Sequence, residues 1–195
     1  MKKIMLYVLL ICAIVFVYPS AAQAQPQLVV TLNTLDQIGR IRFLFSDLQL
    51  DLNNDGQLSN TFNRFDDASL QFDYYDRFDT KEKQGKLKSI GTIQIDYYDS
   101  FDNETKRGKV KRIGDTTIDY YDQFDQEELQ GKIKSIGGEA ITYYDRFANE
   151  EIRGKLKSIG GTEVYYYDRF DGADKAGRIK AITKNGNGKI RIMVR

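Results

Sequence analysis

The chain has 195 residues, the length of one ordinary domain, and its 29 basic and 28 acidic residues give a formal net charge of +1. This balance argues against a general affinity for nucleic acid. The sequence contains no histidine, which excludes histidine-dependent catalytic triads, histidine proton relays and histidine-containing zinc sites.

Residues 1–24 have the layout of a secretory signal peptide. Two lysines precede an apolar run at 4–17, and small residues surround Ala24. The run is shorter than the roughly 20 residues of a membrane-spanning helix, so we predict cleavage after Ala24, which also removes the only cysteine, Cys12. We therefore expect an exported protein, periplasmic or extracellular at the cell surface, with no disulfide and no transmembrane helix after cleavage.

Residues 25–73 are predicted to be a degenerate N-terminal part of a repeat array, acting as its cap. The stretch 39–43 resembles 85–88, which lies two repeat lengths further on. Terminal repeats often depart from the consensus because they cover the end of the array.

The same segment contains the first nine positions of a calcium loop. Oxygen ligands stand at Asp51, Asn53 and Asp55, and a glycine follows directly. The twelfth position holds Phe62 where a bidentate glutamate is required, and the preceding residues alternate like a strand. Two interpretations stay open: a calcium site formed by Asp51, Asn53 and Asp55, or a polar turn.

A 23-residue repeat occupies residues 74–183. A Tyr-Tyr-Asp triplet recurs five times without insertion and is followed at constant offsets by a phenylalanine and by a glycine with a basic residue. Fixed spacing of this kind indicates units that bury their apolar faces against their neighbours. The triplets begin at Tyr74, Tyr97, Tyr120, Tyr143 and Tyr166.

Each repeat is predicted to form a β-hairpin, because apolar and polar residues alternate with a period of two. A three-residue connection at 90–92 would place Leu87 opposite Ile95 and gather the apolar side chains, Phe101 included, on one face. The fold class is therefore all-β: an antiparallel meander of tandem 23-residue hairpins in an extended or curled sheet, with a closed barrel less favoured. Residues 184–195 supply a turn and a closing strand.

One tyrosine of each triplet is predicted to point outward, on the polar face. Rings on every second strand would stand about 10 Å apart, a spacing suited to stacking an extended glycan or contacting a protein. The same rings can equally cover lysine stems and stiffen the sheet. The predicted ligand-binding residues are Tyr75, Tyr98, Tyr121, Tyr144 and Tyr167.

A carboxylate also recurs in every repeat, directly after the two tyrosines. Paired carboxylates serve as acid and base in glycosidases, but a catalytic site is unique, whereas these groups are copied in each unit. We therefore interpret them as partners in ion pairs and turn hydrogen bonds at the strand ends. They are Asp76, Asp99, Asp122, Asp145 and Asp168.

The tyrosine doublets, the acid and the glycines of residues 74–182 loosely resemble the aromatic hairpin repeats of bacterial cell-wall-binding (choline-binding) modules. The resemblance implies a hairpin array that binds a cell-wall component. Those modules build their choline cages with tryptophan, which this sequence lacks, so the resemblance does not extend to choline.

Taken together, these features predict an exported bacterial β-hairpin repeat protein with a structural or interaction role and no catalytic activity. A first alternative is a glycan- or cell-wall-binding module that uses the outward tyrosines. A second is a small outer-membrane barrel, although polar residues interrupt the apolar face that lipid would require. We expect no cofactor apart from calcium at the loop, and a surface glycan or a protein as partner.

Overall fold

The computed structural model describes residues 25–33, 37–46, 48–63, 70–184 and 190–194, so the predicted signal peptide lies outside the described residues. The first strands are β1 (Gln27–Leu32), β2 (Ile38–Leu44), β3 (Leu48–Asn53), β4 (Leu58–Asn63) and β5 (Phe72–Tyr74). The repeats supply β6 (Leu87–Ile90), β7 (Ile93–Tyr97), β8 (Val110–Ile113), β9 (Thr116–Tyr120), β10 (Ile133–Ile136), β11 (Glu139–Tyr143), β12 (Leu156–Ile159) and β13 (Thr162–Tyr166). The last strands are β14 (Ile179–Lys184) and β15 (Ile190–Val194).

The strands form two sheets, and the all-β prediction is confirmed. A small sheet has the order β15-β1-β2-β3-β4, and a large sheet runs without crossover from β5 to β14. All neighbours are antiparallel except β15, which lies parallel to β1. Within the described residues neither sheet closes into a barrel, because each ends in two separate edge strands. The C-terminal strand thus joins the small sheet instead of extending the repeat array.

The hairpins of the large sheet have two-residue turns. Ile90 pairs with Ile93, and Ser89 pairs with Gln94, so the predicted three-residue connection is wrong. In the hairpin of β10 and β11 both turn residues are glycines with positive φ, 58° and 83°, as the tightest hairpin turn requires. The extra residue lies instead in a β-bulge, where a strand pairs with the neighbouring repeat. Between β7 and β8 the register shifts in this way between Asp96 and Tyr97.

The two sheets share one hydrophobic core. Along β3 the leucines point into it at every second position, and the repeats contribute the aliphatic residues next to each turn together with the first tyrosine of each interior triplet. The hydroxyl of Tyr120 donates to the carbonyl of Val110 at 2.9 Å, which satisfies a polar group that would otherwise be costly to bury. The predicted inward position of Tyr97 is confirmed, since its ring is buried.

The loop between β3 and β4 is one place where the small sheet docks on the large sheet. The carbonyl of Gly56 accepts the N–H of Val110 at 2.9 Å, and the side-chain amide of Gln57 donates to the carbonyl of Gly108 at 3.0 Å. The ammonium of Lys109 donates to the carbonyl of Asp55 at 2.9 Å. These three bonds link the loop of the small sheet to residues 108–110 at the start of β8 in the large sheet.

The only helical element of the described residues is a short 3₁₀ turn, Glu127–Leu129. Accordingly, the described part of the chain has no helix with the length and apolar character needed to span a membrane.

Candidate interaction surface

The tyrosines that were predicted to stand free on the polar face are instead packed between repeats. Tyr98 is only 9% exposed, and Tyr75, Tyr121, Tyr144 and Tyr167 are half-buried. Four of these rings meet the first tyrosine of the following repeat edge to face, with centroids 5.7 to 6.1 Å apart. The expectation of free outward rings is therefore wrong, because four of these rings pack against the next repeat.

The hydroxyl groups of the same four tyrosines are also engaged. The hydroxyl of Tyr98 donates to the carbonyl of Ile118 at 2.9 Å, and the hydroxyl of Tyr144 donates to that of Val164 at 3.1 Å. Lysine ammonium groups lie over the ring faces, as Lys111 does at 5.0 Å from the centroid of Tyr98. These rings join one repeat to the next, and little of their surface is left for a sugar to stack on.

The repeated carboxylates hold the turns that follow the tyrosines. Asp76 accepts the backbone N–H of Phe78 at 2.7 Å, and Asp79 accepts the N–H of Asp76 at 2.8 Å. The first of these bonds occurs in all five repeats, which confirms that these acids form turn hydrogen bonds. Each turn is thus fixed by side-chain hydrogen bonds to its own backbone.

A row of exposed phenylalanines stands on these turns, and we call it the phenylalanine row. Its side chains are between 79% and 91% exposed, whereas Phe101 was expected on the apolar face. That expectation is wrong because the strand ends at Tyr97 and the chain turns before the phenylalanine. With one ring per hairpin, we expect neighbouring rings to lie about 10 Å apart along the end of the sheet where the strands turn. The row consists of Phe78, Phe101, Phe124, Phe147 and Phe170.

The sequence carries a signal that identifies this surface. In four of five repeats the phenylalanine is flanked by aspartates on both sides, as in Asp99-Ser-Phe101-Asp102. An aspartate two residues before the ring is typical of a turn, because its carboxylate accepts the backbone N–H two residues further on. The constant offset of the phenylalanine therefore indicates a fixed place on a turn and not a place in the core.

The centre of the row differs from its ends. The guanidinium groups of Arg77, Arg146 and Arg169 lie about 5 Å from the ring centroids of the phenylalanines that follow them. Phe101 and Phe124 follow a serine and a glutamine instead. These two rings are the most exposed of the row, at 91% and 86%.

The charges beside the row are neutralised within the fold. Lys111 lies 3.2 Å from Asp102, and Lys134 lies 3.3 Å from Asp125. The backbone N–H of Asp122 and then Lys134 lower the pKa of Asp125. The acids are thus paired, whereas the five rings stay at least 79% exposed although arginines lie beside three of them.

The residues of the predicted calcium loop do not come together as a metal site. The carboxylate of Asp51 is fully buried on β3, where Arg42 donates to it at 2.9 Å and Arg40 at 3.0 Å. Hydrogen bonding to Asp51 raises the pKa of Arg42. Asp55 accepts the N–H of Gln57 at 3.0 Å.

The structure therefore favours the polar turn over the calcium site. Asn53 belongs to β3, and its carbonyl accepts the N–H of Gly56 at 3.1 Å. The charge of Asp51 is already compensated by two guanidinium groups. Over the described ranges, no cluster of three carboxylate, cysteine or histidine side chains is arranged to hold a metal.

Fold and surface together define a two-sheet, tandem-hairpin protein that presents one exposed phenylalanine on the turn of each repeat. No protein-family model, no curated protein and no solved structure matches the chain, so these comparisons give the resemblance to cell-wall-binding modules no support.

Proposed function

We propose that this chain is an exported, non-catalytic interaction protein that binds its partner through the phenylalanine row. The observation that supports the proposal is the exposure of five large apolar rings, each at least 79% accessible. Exposed apolar side chains in a regular group are typical of interaction sites, whereas isolated ones need no explanation. Their repetition in every unit speaks for a use of the row as a whole.

The rigidity of the turns favours binding. Each phenylalanine follows an aspartate whose carboxylate holds the backbone N–H of the ring residue, so the turn loses little freedom when a partner arrives. Pre-organised aromatic side chains contribute large contact areas at a low entropic cost. Phe101 and Phe124, over which no arginine lies in the described part of the chain, are the expected centre of the binding energy.

A polysaccharide is the second candidate partner, and the even spacing of the rings favours it. A polymer of identical units meets the same ring at each repeat, and planar rings stack on sugar faces. Gln123 and Asn103 lie beside the central rings in the sequence and supply amide groups of the kind that bind hydroxyl groups. In this candidate function the sugars stack on the phenylalanine row and not on the tyrosines.

A photo-crosslinking experiment tests the main proposal. The photoreactive analogue p-benzoylphenylalanine is placed at Phe124 in one variant and at Tyr165, an exposed aromatic position outside the row, in a matched control. We expect crosslinked species in the producing cells from position 124 and not from position 165. Equal crosslinking at both positions would overturn the proposal, and mass spectrometry of the adduct separates a protein partner from a saccharide.

The polysaccharide candidate has its own test. Wild-type protein is sedimented with insoluble peptidoglycan, chitin and cellulose, beside a variant that carries Phe101→Ser and Phe124→Ser. We expect at least a tenfold loss of co-sedimentation in the variant and none in Tyr165→Ser. Absence of wild-type binding to all three polymers would leave a protein as the partner of the row.

A further inference from the structure

The two edges of the large sheet are the two halves of one hairpin. β14 continues the series of first strands, because Ile182 lies 23 residues after Ile159. β5 continues the series of second strands backwards, because Phe72 lies 23 residues before Ile95. In each interior repeat such a first strand pairs with such a second strand across the turn.

Core positions become exposed at these two edges. Phe72 is 47% exposed, Tyr74 56% and Ile182 39%. The equivalent residues of the interior repeats are buried, with exposures of 7% or less. The chain therefore carries the residues of an internal repeat junction on both edges without the neighbour that buries them.

The charges at the two edges are complementary. Inside the array the ammonium of Lys83 lies 2.8 Å from Asp96, and the next repeat has the same pair at 2.7 Å. The equivalent lysine at the β14 end is Lys175, which forms no ion pair with a carboxylate among the described residues. The equivalent aspartate at the β5 end is Asp73, which is exposed and lies 3.8 Å from Lys88.

The tyrosine contacts show the same complementarity. Tyr144 packs edge to face on Tyr166 in the next repeat, and the other junctions repeat this contact. In this series the ring that should follow Tyr167 is the equivalent of Tyr74. Tyr74 lies at the opposite edge of the same sheet, so one chain does not bring the two rings together.

We propose that the large sheet continues from one copy of this chain into a second copy, with β14 of the first paired antiparallel to β5 of the second. Lys175 of one copy then binds Asp73 of the next, Tyr167 packs on Tyr74, and the hydroxyl of Tyr167 donates to the carbonyl of Phe72. The interface joins two different surfaces, so it extends head to tail and yields oligomers that grow with concentration.

Lysine on an edge strand is a common protection against such pairing, but Lys180 on β14 does not have this role. Lys111 and Lys134 occupy the equivalent positions of interior strands, and both of those strands are paired on both sides. Lys180 itself lies 2.9 Å from Asp171. Residues 179–182 of this edge thus have the composition of a paired strand.

Single-cysteine chains test the predicted register. Interior repeats place the equivalents of Ala181 and Gln71 directly opposite each other, as in Ser89 and Gln94. In a Cys12→Ala background, a chain with Ala181→Cys is mixed with a chain with Gln71→Cys and oxidised. We expect a disulfide-linked heterodimer, while each chain alone stays largely unlinked because like ends do not meet. Equal linkage of like and unlike chains, or no linkage, would overturn the proposal.

A charge exchange tests the same interface in solution. Lys175→Glu and Asp73→Lys are each expected to raise the concentration of half-association at least tenfold in sedimentation velocity. An equimolar mixture of the two variants should recover oligomers in which the two chains alternate. The glutamate introduced in one chain then faces the lysine introduced in the other, and the next junction keeps the natural Lys175 and Asp73. Wild-type protein that stays monomeric at all concentrations would overturn the proposal. The variant with Phe101→Ser and Phe124→Ser should associate like wild type, so failure of the proposed function is distinguishable from failure of this one.

Discussion

The ammonium of Lys106 lies 2.7 Å from a carboxylate oxygen of Asp119, which stands thirteen residues later in the next repeat. Lys83 and Asp96 form the same contact at 2.8 Å. Where the turn residue is apolar, the residue thirteen positions later is not an acid: Leu129 precedes Thr142, and Ile152 precedes Tyr165. The repeats therefore change both members of the contact together, which indicates that the contact joins successive hairpins.

We expect the pair of Lys106 and Asp119 to be replaceable by the leucine and threonine of the following repeat only when both residues change. Lys106→Leu leaves the carboxylate of Asp119, which is 43% exposed, without its cation and should lower the free energy of unfolding by about 0.5–1 kcal/mol. The double variant Lys106→Leu with Asp119→Thr should recover most of this loss. Urea unfolding measures both, with the exposed Lys81→Leu as a control within about 0.5 kcal/mol of wild type. A double variant less stable than the sum of its parts would contradict this account.

The hairpin array is readable from the sequence because its periodicity repeats without insertion, and the structure confirms the all-β class. The strand register cannot be read from the sequence. The turn has two residues, and the bulge at Asp96 and Tyr97 shifts the register again further along the strand. A period of two cannot reveal a bulge, because the bulge breaks the alternation that defines the period. Because the predicted turn is one residue too long, the predicted pairing of Leu87 with Ile95 is wrong.

Alternation within one strand also predicts the wrong residues for the interaction surface. Counting alternate positions from Tyr97 puts Phe101 on the apolar face, but the strand ends at Tyr97 and Asp99 bends the chain. Tyr98 looks exposed by the same count, although the neighbouring repeat covers it. Contacts between repeats depend on tertiary packing, which a pattern within one strand does not contain.

Loss of the Tyr120 hydroxyl should be costly although the ring is retained. Tyr120→Phe leaves the buried carbonyl of Val110 without the donor that lies 2.9 Å away, so we expect a loss of about 1–2 kcal/mol in the free energy of unfolding. Tyr74→Phe is the matched control, since Tyr74 occupies the equivalent repeat position but is 56% exposed. Chemical denaturation of both variants is the measurement, and equal losses would show that the hydroxyl of Tyr120 contributes nothing specific.

The fold is expected to lose stability steeply in alkaline solution. Burial raises the pKa of Tyr97, Tyr98, Tyr120 and Tyr143 above the ordinary value. A group whose pKa is raised by folding contributes stability below its unfolded pKa, which is about 10 for tyrosine, and loses it as the pH rises further. Phenolate absorbance should therefore rise late and together with unfolding, whereas the chain in urea should titrate near pH 10. Independent titration of all tyrosines near pH 10 in the folded chain would contradict the burial of these rings.

Alanine variants at Gly56 and Gly138 distinguish the contribution of sheet docking to stability from the effect of backbone strain alone. Both have positive φ, 81° and 83°, so alanine costs about 1–2 kcal/mol at either position. A Cβ at Gly138 meets nothing within 4 Å, but one at Gly56 lies 2.9 Å from Lys109 and from the hydroxyl of Tyr120. Gly56→Ala should therefore cost about 2–4 kcal/mol in all and speed hydrogen exchange at the N–H of Val110, which bonds to the carbonyl of Gly56. Equal losses of stability in the two variants, with unchanged exchange at Val110, would contradict a docking role for this loop.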